Sequence, residues 1–210
     1  MSEFGYIPEA PEQSFGNNKG IFKPKDIYDL TRADKYTNYG QLELIETKTG
    51  SGVSAIDFTA IKETEYNVHL LTINDFNVTT DGQPTGIRLS NGSFISSGYQ
   101  WANQTGRAGG SFAENRSTSS TYLEIGRLNG NTTNEKLNGY VYFYNLGDSS
   151  KYSFLTHQTT YTNEFSAEYM MSFGSGVRPT ADTVSGIRLT STSGNITVTS
   201  ASLYGIKEYS

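Results

Sequence analysis

From residue 41 onward the chain never sustains a helical period. Apolar and aromatic residues recur in short runs with a period of two, and turn signals close almost every run. Strict alternation over several residues puts one face of a strand in a core and the other in solvent. Tyr66-Asn-Val68-His-Leu70 and Ile196-Thr-Val198 alternate in this way, and the alternation runs on to Leu203 and Ile206. Tyr140-Val-Tyr-Phe-Tyr144 suits a strand buried on one face and covered by aromatics on the other. The turns are Asp81-Gly82, Asn91-Gly92, glycine-flanked Asn129, Gly147-Asp148 and Ser193-Gly194-Asn195, residue pairs that reverse the backbone cheaply. Strands are expected at 42–47, 54–60, 66–73, 86–90, 93–99, 121–128, 139–145, 153–158, 164–173, 186–190 and 195–206. So many short strands without helices predict an all-β protein, an antiparallel β-sandwich of jelly-roll type.

Composition supports this class. Hydrophobic residues make up only 35% of the 210, yet Tyr (15) and Phe (11) are plentiful and Gly reaches 22. Thin sheets with one wet face need few apolar residues, and β-formers and turn-formers replace the Ala, Leu, Glu and Lys of helical domains. One echo stands out: Gly86-Ile-Arg-Leu-Ser90 returns as Gly186-Ile-Arg-Leu-Thr190. Two copies do not make a solenoid, but they could mark equivalent strands in facing sheets.

Residues 1–39 read differently. They hold three of the five prolines (Pro8, Pro11, Pro24) and show no alternation. We expect an extended N-terminal arm with one or two helical turns after Pro24, and a sandwich domain over 40–210. Such an arm cannot bury Phe15, Ile21, Phe22, Ile27, Tyr28 and Leu30 on itself. These six are the candidate partner-binding residues, each able to contribute about 1.5–3 kcal/mol when fully buried against its own domain or another subunit.

Several chemistries are excluded or unsupported. Cysteine is absent, so no disulfide, thiolate metal site or cysteine nucleophile can form. His69 and His157 cannot alone make a three-histidine metal site, and neither lies in a catalytic motif; both read as ordinary strand histidines facing solvent or a neighbouring strand. Asp57, Glu124, Glu164 and Glu168 lie on or beside expected strands, but their spacing selects no acid/base pair and outward-facing polarity accounts for them. Asn74-Asp75 with Asp81 lacks calcium-loop spacing. The N-x-[ST] matches at Asn77, Asn91, Asn103, Asn115, Asn131 and Asn195 follow from composition. No phosphate-cradling glycine loop and no serine-hydrolase elbow appear. No enzyme, cofactor or metal is therefore expected. A net charge of −5 disfavours nucleic acid, the apolar runs are too short to enter a membrane, and the opening residues predict no signal peptide.

The stretch most like a site is residues 98–111, read as a glycine-rich loop. It carries the single Trp and suggests a sugar-type ligand site at Tyr99, Trp101, Asn103 and Arg107, with Gln100 and Gln104 beside them. The alternative is that Tyr99 and Trp101 continue a strand and point inward.

Longer motifs carry a resemblance. Val53-Ser-Ala-Ile56-Asp-Phe58-Thr-Ala-Ile61, the Leu-Thr-Ile strand of 67–73, Ile87-Arg-Leu-Ser-Asn-Gly92, the Gly-Tyr-Val-Tyr-Phe-Tyr-Asn-Leu strand of 139–146 with Ser-Ser-Lys-Tyr at 149–152, and Ser202-Leu-Tyr-Gly-Ile-Lys207 follow one another. With the opening Gly20-Ile-Phe-Lys-Pro-Lys-Asp-Ile-Tyr-Asp-Leu30, this order resembles the jelly-roll structural proteins of tailed bacteriophages, especially those of marine and cyanobacterial hosts. The resemblance implies a non-enzymatic virion component, either a capsid decoration protein or a tail or fibre subunit, assembled in the bacterial cytoplasm. Its partners would be other virion proteins and further copies of itself, a trimer being favoured. A carbohydrate-binding module or receptor-binding tip for a host surface glycan, built on Tyr99–Arg107, is the alternative.

Overall fold

The computed structural model describes residues 13–14, 17–18, 23–33, 42–165 and 168–208. The chain separates into two compact units, Met1–Gln41 and Leu42–Ser210. In the first, β1 (Gln13–Ser14) pairs antiparallel with β2 (Asn17–Asn18), and α1 spans Pro24–Arg32. Proline opens that helix, where no backbone N–H is missed. The Asp26 carboxylate accepts from the Lys23 N–H at 2.9 Å, Lys25 pairs with Asp29 one turn on, and Arg32 complements the last turn. The expected extended arm thus contains nine helical residues. Ile27 and Leu30 are half-buried and Tyr28 is exposed; Phe15, Ile21 and Phe22 lie outside the described residues.

The second unit is built of antiparallel β-strands: β3 (Leu42–Val53), β4 (Ala55–Phe58), β5 (Val68–Val78), β6 (Gln83–Ser90), β7 (Tyr99–Arg107), β8 (Phe112–Ser120), β9 (Leu123–Asn129), β10 (Leu137–Tyr144), β11 (Tyr152–Thr162), β12 (Tyr169–Ala181), β13 (Gly186–Ser191) and β14 (Ile196–Ile206). They form an eight-stranded sheet, β3-β14-β5-β10-β11-β12-β7-β8, and a four-stranded sheet, β4-β13-β6-β9. The pairing is nested. β3 pairs with β14, β4 with β13, β5 with β10 and β6 with β9, so strands taken inward from both ends of the unit meet as partners. β11–β12 and β7–β8 are two hairpins that widen the larger sheet beyond β10.

Inward-facing residues of both sheets make one core. Leu71, Val141, Phe143, Leu155 and Leu203 from the large sheet join Phe58, Ile87, Leu89, Leu123, Ile125, Ile187 and Leu189 from the small one. Burial of that many large apolar side chains is the main stabilising term. Where β12 meets the small sheet, glycine is required by space: a Cβ on Gly176 would sit 2.4 Å from a Leu123 methyl. The exposed edge of β9 is covered by polar side chains of the larger sheet. Asn103 Nδ2 donates to the Glu124 carbonyl at 2.9 Å, Thr159 Oγ1 donates to the Ile125 carbonyl, and the Arg127 N–H donates to Tyr161 Oη at 3.1 Å. Those bonds satisfy backbone groups that an open edge would leave as a template for aggregation.

Several expectations need correction. Residues 93–98 carry only an isolated bridge, Phe94 to Ser90, and no strand. The strand expected at 54–60 is shortened to β4, and the one at 164–173 moves to β12 because Glu164 and Phe165 form a turn. β7 follows the reading in which Tyr99 and Trp101 continue a strand, and β8 is a strand where none was expected. The echoed segments do not face each other across the core; they lie side by side as β6 and β13. Arg188 stands directly opposite Arg88, with Ile187 against Leu89 and Leu189 against Ile87, so the repeat is a local two-fold within one sheet. Like charges opposite one another repel. Asp57 offsets this by gripping Arg188 through two bonds of 2.7 Å, while Phe94 stacks 3.9 Å from the guanidinium. Among the described residues no helix is long and apolar enough to cross a membrane.

Candidate functional site

Of the two readings of residues 98–111, a ligand loop or a strand pointing Tyr99 and Trp101 inward, the strand is found: it is β7, and its alternation decides where its side chains go. Tyr99, Trp101, Asn103 and Thr105 point inward and are buried; Gln100 and Ala102 face out, and Arg107, at the end of the strand opposite Met170, is exposed. Tyr99 Oη accepts from the Leu89 N–H at 2.7 Å and lies within 3.3 Å of the Ile95 carbonyl, which ties β7 to the small sheet. Burial pushes the Tyr99 phenol up. Trp101 is 8% exposed and belongs to the core. Asn103 bridges the sheets: its amide nitrogen holds the Glu124 carbonyl and its Oδ1 accepts from His157 Nε2 at 3.0 Å. Of the four residues expected to bind a ligand, Arg107 alone is on the surface. The indole, the phenol and the amide build the interior.

The histidines and one carboxylate also lie deeper than expected. His69 is fully buried, donates from Nε2 to the Ile61 carbonyl at 2.8 Å and meets the Tyr66 ring edge-on. Burial depresses its pKa. His157 stands mid-strand on β11, and burial lowers its pKa to about 4. Glu124, expected to face solvent, is 3% exposed. Burial raises its pKa to about 7, against the opposing pull of Arg127, whose guanidinium is 3.7 Å away. Asp57 is occupied by Arg188, and Glu168 accepts the Gly109 N–H at 2.6 Å. Among the described residues no cluster of acids and histidines could hold a metal ion.

What the strand order does assemble is the outer face of the larger sheet. β10 buries Val141 and Phe143 and turns Tyr140, Tyr142 and Tyr144 outward. β11 turns out Phe154, Thr156 and Gln158, and β12 turns out Phe173 and Ser175. Register lines these up across the strands. One row runs Tyr140, Gln158, Phe173, Gln104, Glu114, from β10 to β8. The neighbouring row runs Tyr142, Thr156, Ser175, Ala102, Arg116. Tyr140 Oη donates to Gln158 Oε1 at 3.0 Å, and the Tyr140 and Tyr142 rings meet edge to face at 5.7 Å, so the platform is held in place before anything binds. Phe173 separates two depressions, of about 550 Å³ on the Tyr140 side and about 380 Å³ on the Glu114 side.

Sequence reasoning did not single this face out, although its signal was present: aromatics at 140, 142 and 144 around buried Val141 and Phe143 require rings on both faces of one strand. That Phe173, Gln158 and Gln104 fall in line with Tyr140 depends on register across four strands, which no local pattern encodes. No known protein family matches the chain, and no curated protein and no solved structure is significantly similar to it.

Proposed function

We propose that the chain is a non-enzymatic structural subunit of a bacteriophage virion, a capsid decoration protein or a tail or fibre subunit, whose body is a jelly roll. The nested pairing carries this reading. A jelly roll is a long antiparallel hairpin of strand pairs wrapped into two sheets. The orders β3-β14-β5-β10 and β4-β13-β6-β9 are those such a wrapping produces, with β7–β8 and β11–β12 as added hairpins. Sequence motifs resembling phage jelly-roll proteins lie along that body. Residues 1–39, with Ile27 and Leu30 half-buried and Tyr28 65% exposed, serve as an arm that docks apolar side chains on neighbouring subunits. Homotrimers and contacts with other virion proteins are the expected assembly.

Cryo-electron microscopy of particles from the source lysate tests this. Density for a two-sheet sandwich on the capsid lattice would identify a decoration protein, and density on the tail would identify a tail or fibre subunit. Its absence from every particle overturns the reading. A second reading, recognition of a surface glycan, is favoured by the row Tyr140, Gln158, Phe173, Gln104 on the outer face of the larger sheet, which takes the place of the buried Tyr99, Trp101 and Asn103.

A further inference from the structure

We propose that the outer face of β10, β11, β12, β7 and β8 binds an uncharged, extended β-1,4-linked glycan lying across the strands. The row Tyr140, Gln158, Phe173, Gln104 alternates ring and amide and ends on the carboxylate of Glu114. Neighbouring strands are about 4.8 Å apart, so the two rings, separated by one strand, stand roughly 9–10 Å apart. That spacing is close to the repeat of two sugar residues in an extended β-1,4-linked chain, in which alternate residues present the same face. Each ring can then stack on the apolar C–H face of every second sugar, while Gln158 between the rings and Gln104 beyond Phe173 meet equatorial hydroxyls. Tyr140 is 40% exposed and Phe173 is 41% exposed, which leaves their rings open to such contact.

The polar groups argue against an apolar protein surface as occupant. Covering Gln158 and Gln104 with hydrocarbon would strip water from two amides without returning hydrogen bonds; a hydroxyl-rich chain returns them. Charge selects a neutral ligand. Glu114 and Arg116, at the far end of the two rows, face each other at 3.8 Å and cancel, while the net charge of −5 repels acidic glycans. The two depressions on either side of Phe173 are of the size that small-ligand sites occupy.

This inference gives the second reading a site and does not rest on the virion reading, which particle imaging tests separately. Isothermal titration of the full chain with cellohexaose and with chitohexaose, each beside its disaccharide, is the experiment. Saturable binding of at least one hexasaccharide is expected, tighter than that of its disaccharide because only the longer chain reaches both rings. Phe173→Ala and Tyr140→Ala should each weaken it by about tenfold, the loss of one stacking contact. Tyr152→Ala, exposed on β11 outside both rows, should leave it unchanged. All three side chains are exposed, so circular dichroism and sedimentation should match the parent protein. Absence of binding by both hexasaccharides at millimolar concentration overturns the proposal, as does binding that survives both ring deletions. Conversion of an oligomer to monomers by Phe173→Ala also overturns it, because the face would then be an interface between copies.

Discussion

Glu124→Gln should stabilise the protein in a pH-dependent way. The carboxyl is almost fully enclosed on β9, and Arg127, 3.7 Å away and 43% exposed, only partly compensates. Its pKa rises from 4.5 to about 7. The folded state therefore holds a proton that the unfolded chain releases between pH 4.5 and 7. Where the native state binds more protons, stability falls as pH rises. The Glu124 contribution is thus greatest below pH 4.5, declines to pH 7 and is flat above. Its depth, at 1.36 kcal/mol per pKa unit, is about 3 kcal/mol. Glutamine mimics the protonated form, so the variant should equal the parent near pH 4.5 and exceed it by about 2–4 kcal/mol at pH 8. His157 runs the opposite way. With its pKa lowered from 6.5 to about 4, its stabilisation is complete above pH 6.5 and is lost as pH falls towards 4. In the parent the two slopes oppose each other between pH 4.5 and 6.5. In the variant the His157 slope is unopposed and is joined, in the same sense, by that of buried His69, so stability should climb across that window. Urea unfolding followed through the buried Trp101 at pH 4.5, 6 and 8 measures all three points. Equal stabilities at pH 8, or the same difference at every pH, would show that Glu124 is solvated and refute the reasoning.

Two further outcomes follow from the same packing. Trp101→Ala should cost about 3–5 kcal/mol in urea unfolding, the range for emptying a buried aromatic site; a loss confined to ligand binding with stability intact would return the indole to the surface. Deleting residues 2–39 should leave the urea midpoint of the sandwich unchanged while abolishing any oligomer seen by sedimentation, and an intact oligomer would remove the arm from assembly.

Much of the body was legible because strands with one wet face advertise themselves by alternation: Tyr140 to Tyr144 and Ile196 to Ile206 fall in real strands. At 66–73 the strand is real but the expected face is not, since Val68 and Leu70 lie on the side of outward Tyr144 and Tyr142 while Leu71 and Ile73 enter the core. β8 was illegible because Phe112–Ser120, at the edge of the larger sheet, is open over most of both faces, so no apolar period was needed and none exists. β7 allowed two readings, loop or strand, because of its glycine and amides. Its inward set, Tyr99, Trp101, Asn103 and Thr105, does alternate, but two of the four are polar. Only β11 and β9, neither of them paired with β7, reveal that Asn103 is satisfied by His157 and the Glu124 carbonyl. Glu124 and the histidines were placed outside for a related reason. A lone polar residue in a strand faces water by default. The partner that holds His157 comes from 54 residues away, whereas His69 is met by Tyr66 and the Ile61 carbonyl close by in sequence. The candidate site was the least legible part, since it exists only as a register across five strands.

The nested pairing also governs how the protein can be made. β14 is the last of the strands in sequence, yet it lies inside the larger sheet between β3 and β5. Until Ile206 has left the ribosome, β3 lacks the one partner it has among the described strands and β5 presents an open flank, so the sheet closes only after the last strand of the sandwich has been synthesised. A nascent chain must keep well over a hundred residues of sticky, half-paired strand from meeting its neighbours on the polysome, and closure waits for contacts of very high sequence separation, which form slowly. Yield in a heterologous host should therefore respond more to temperature and chaperone supply than to the strength of the core.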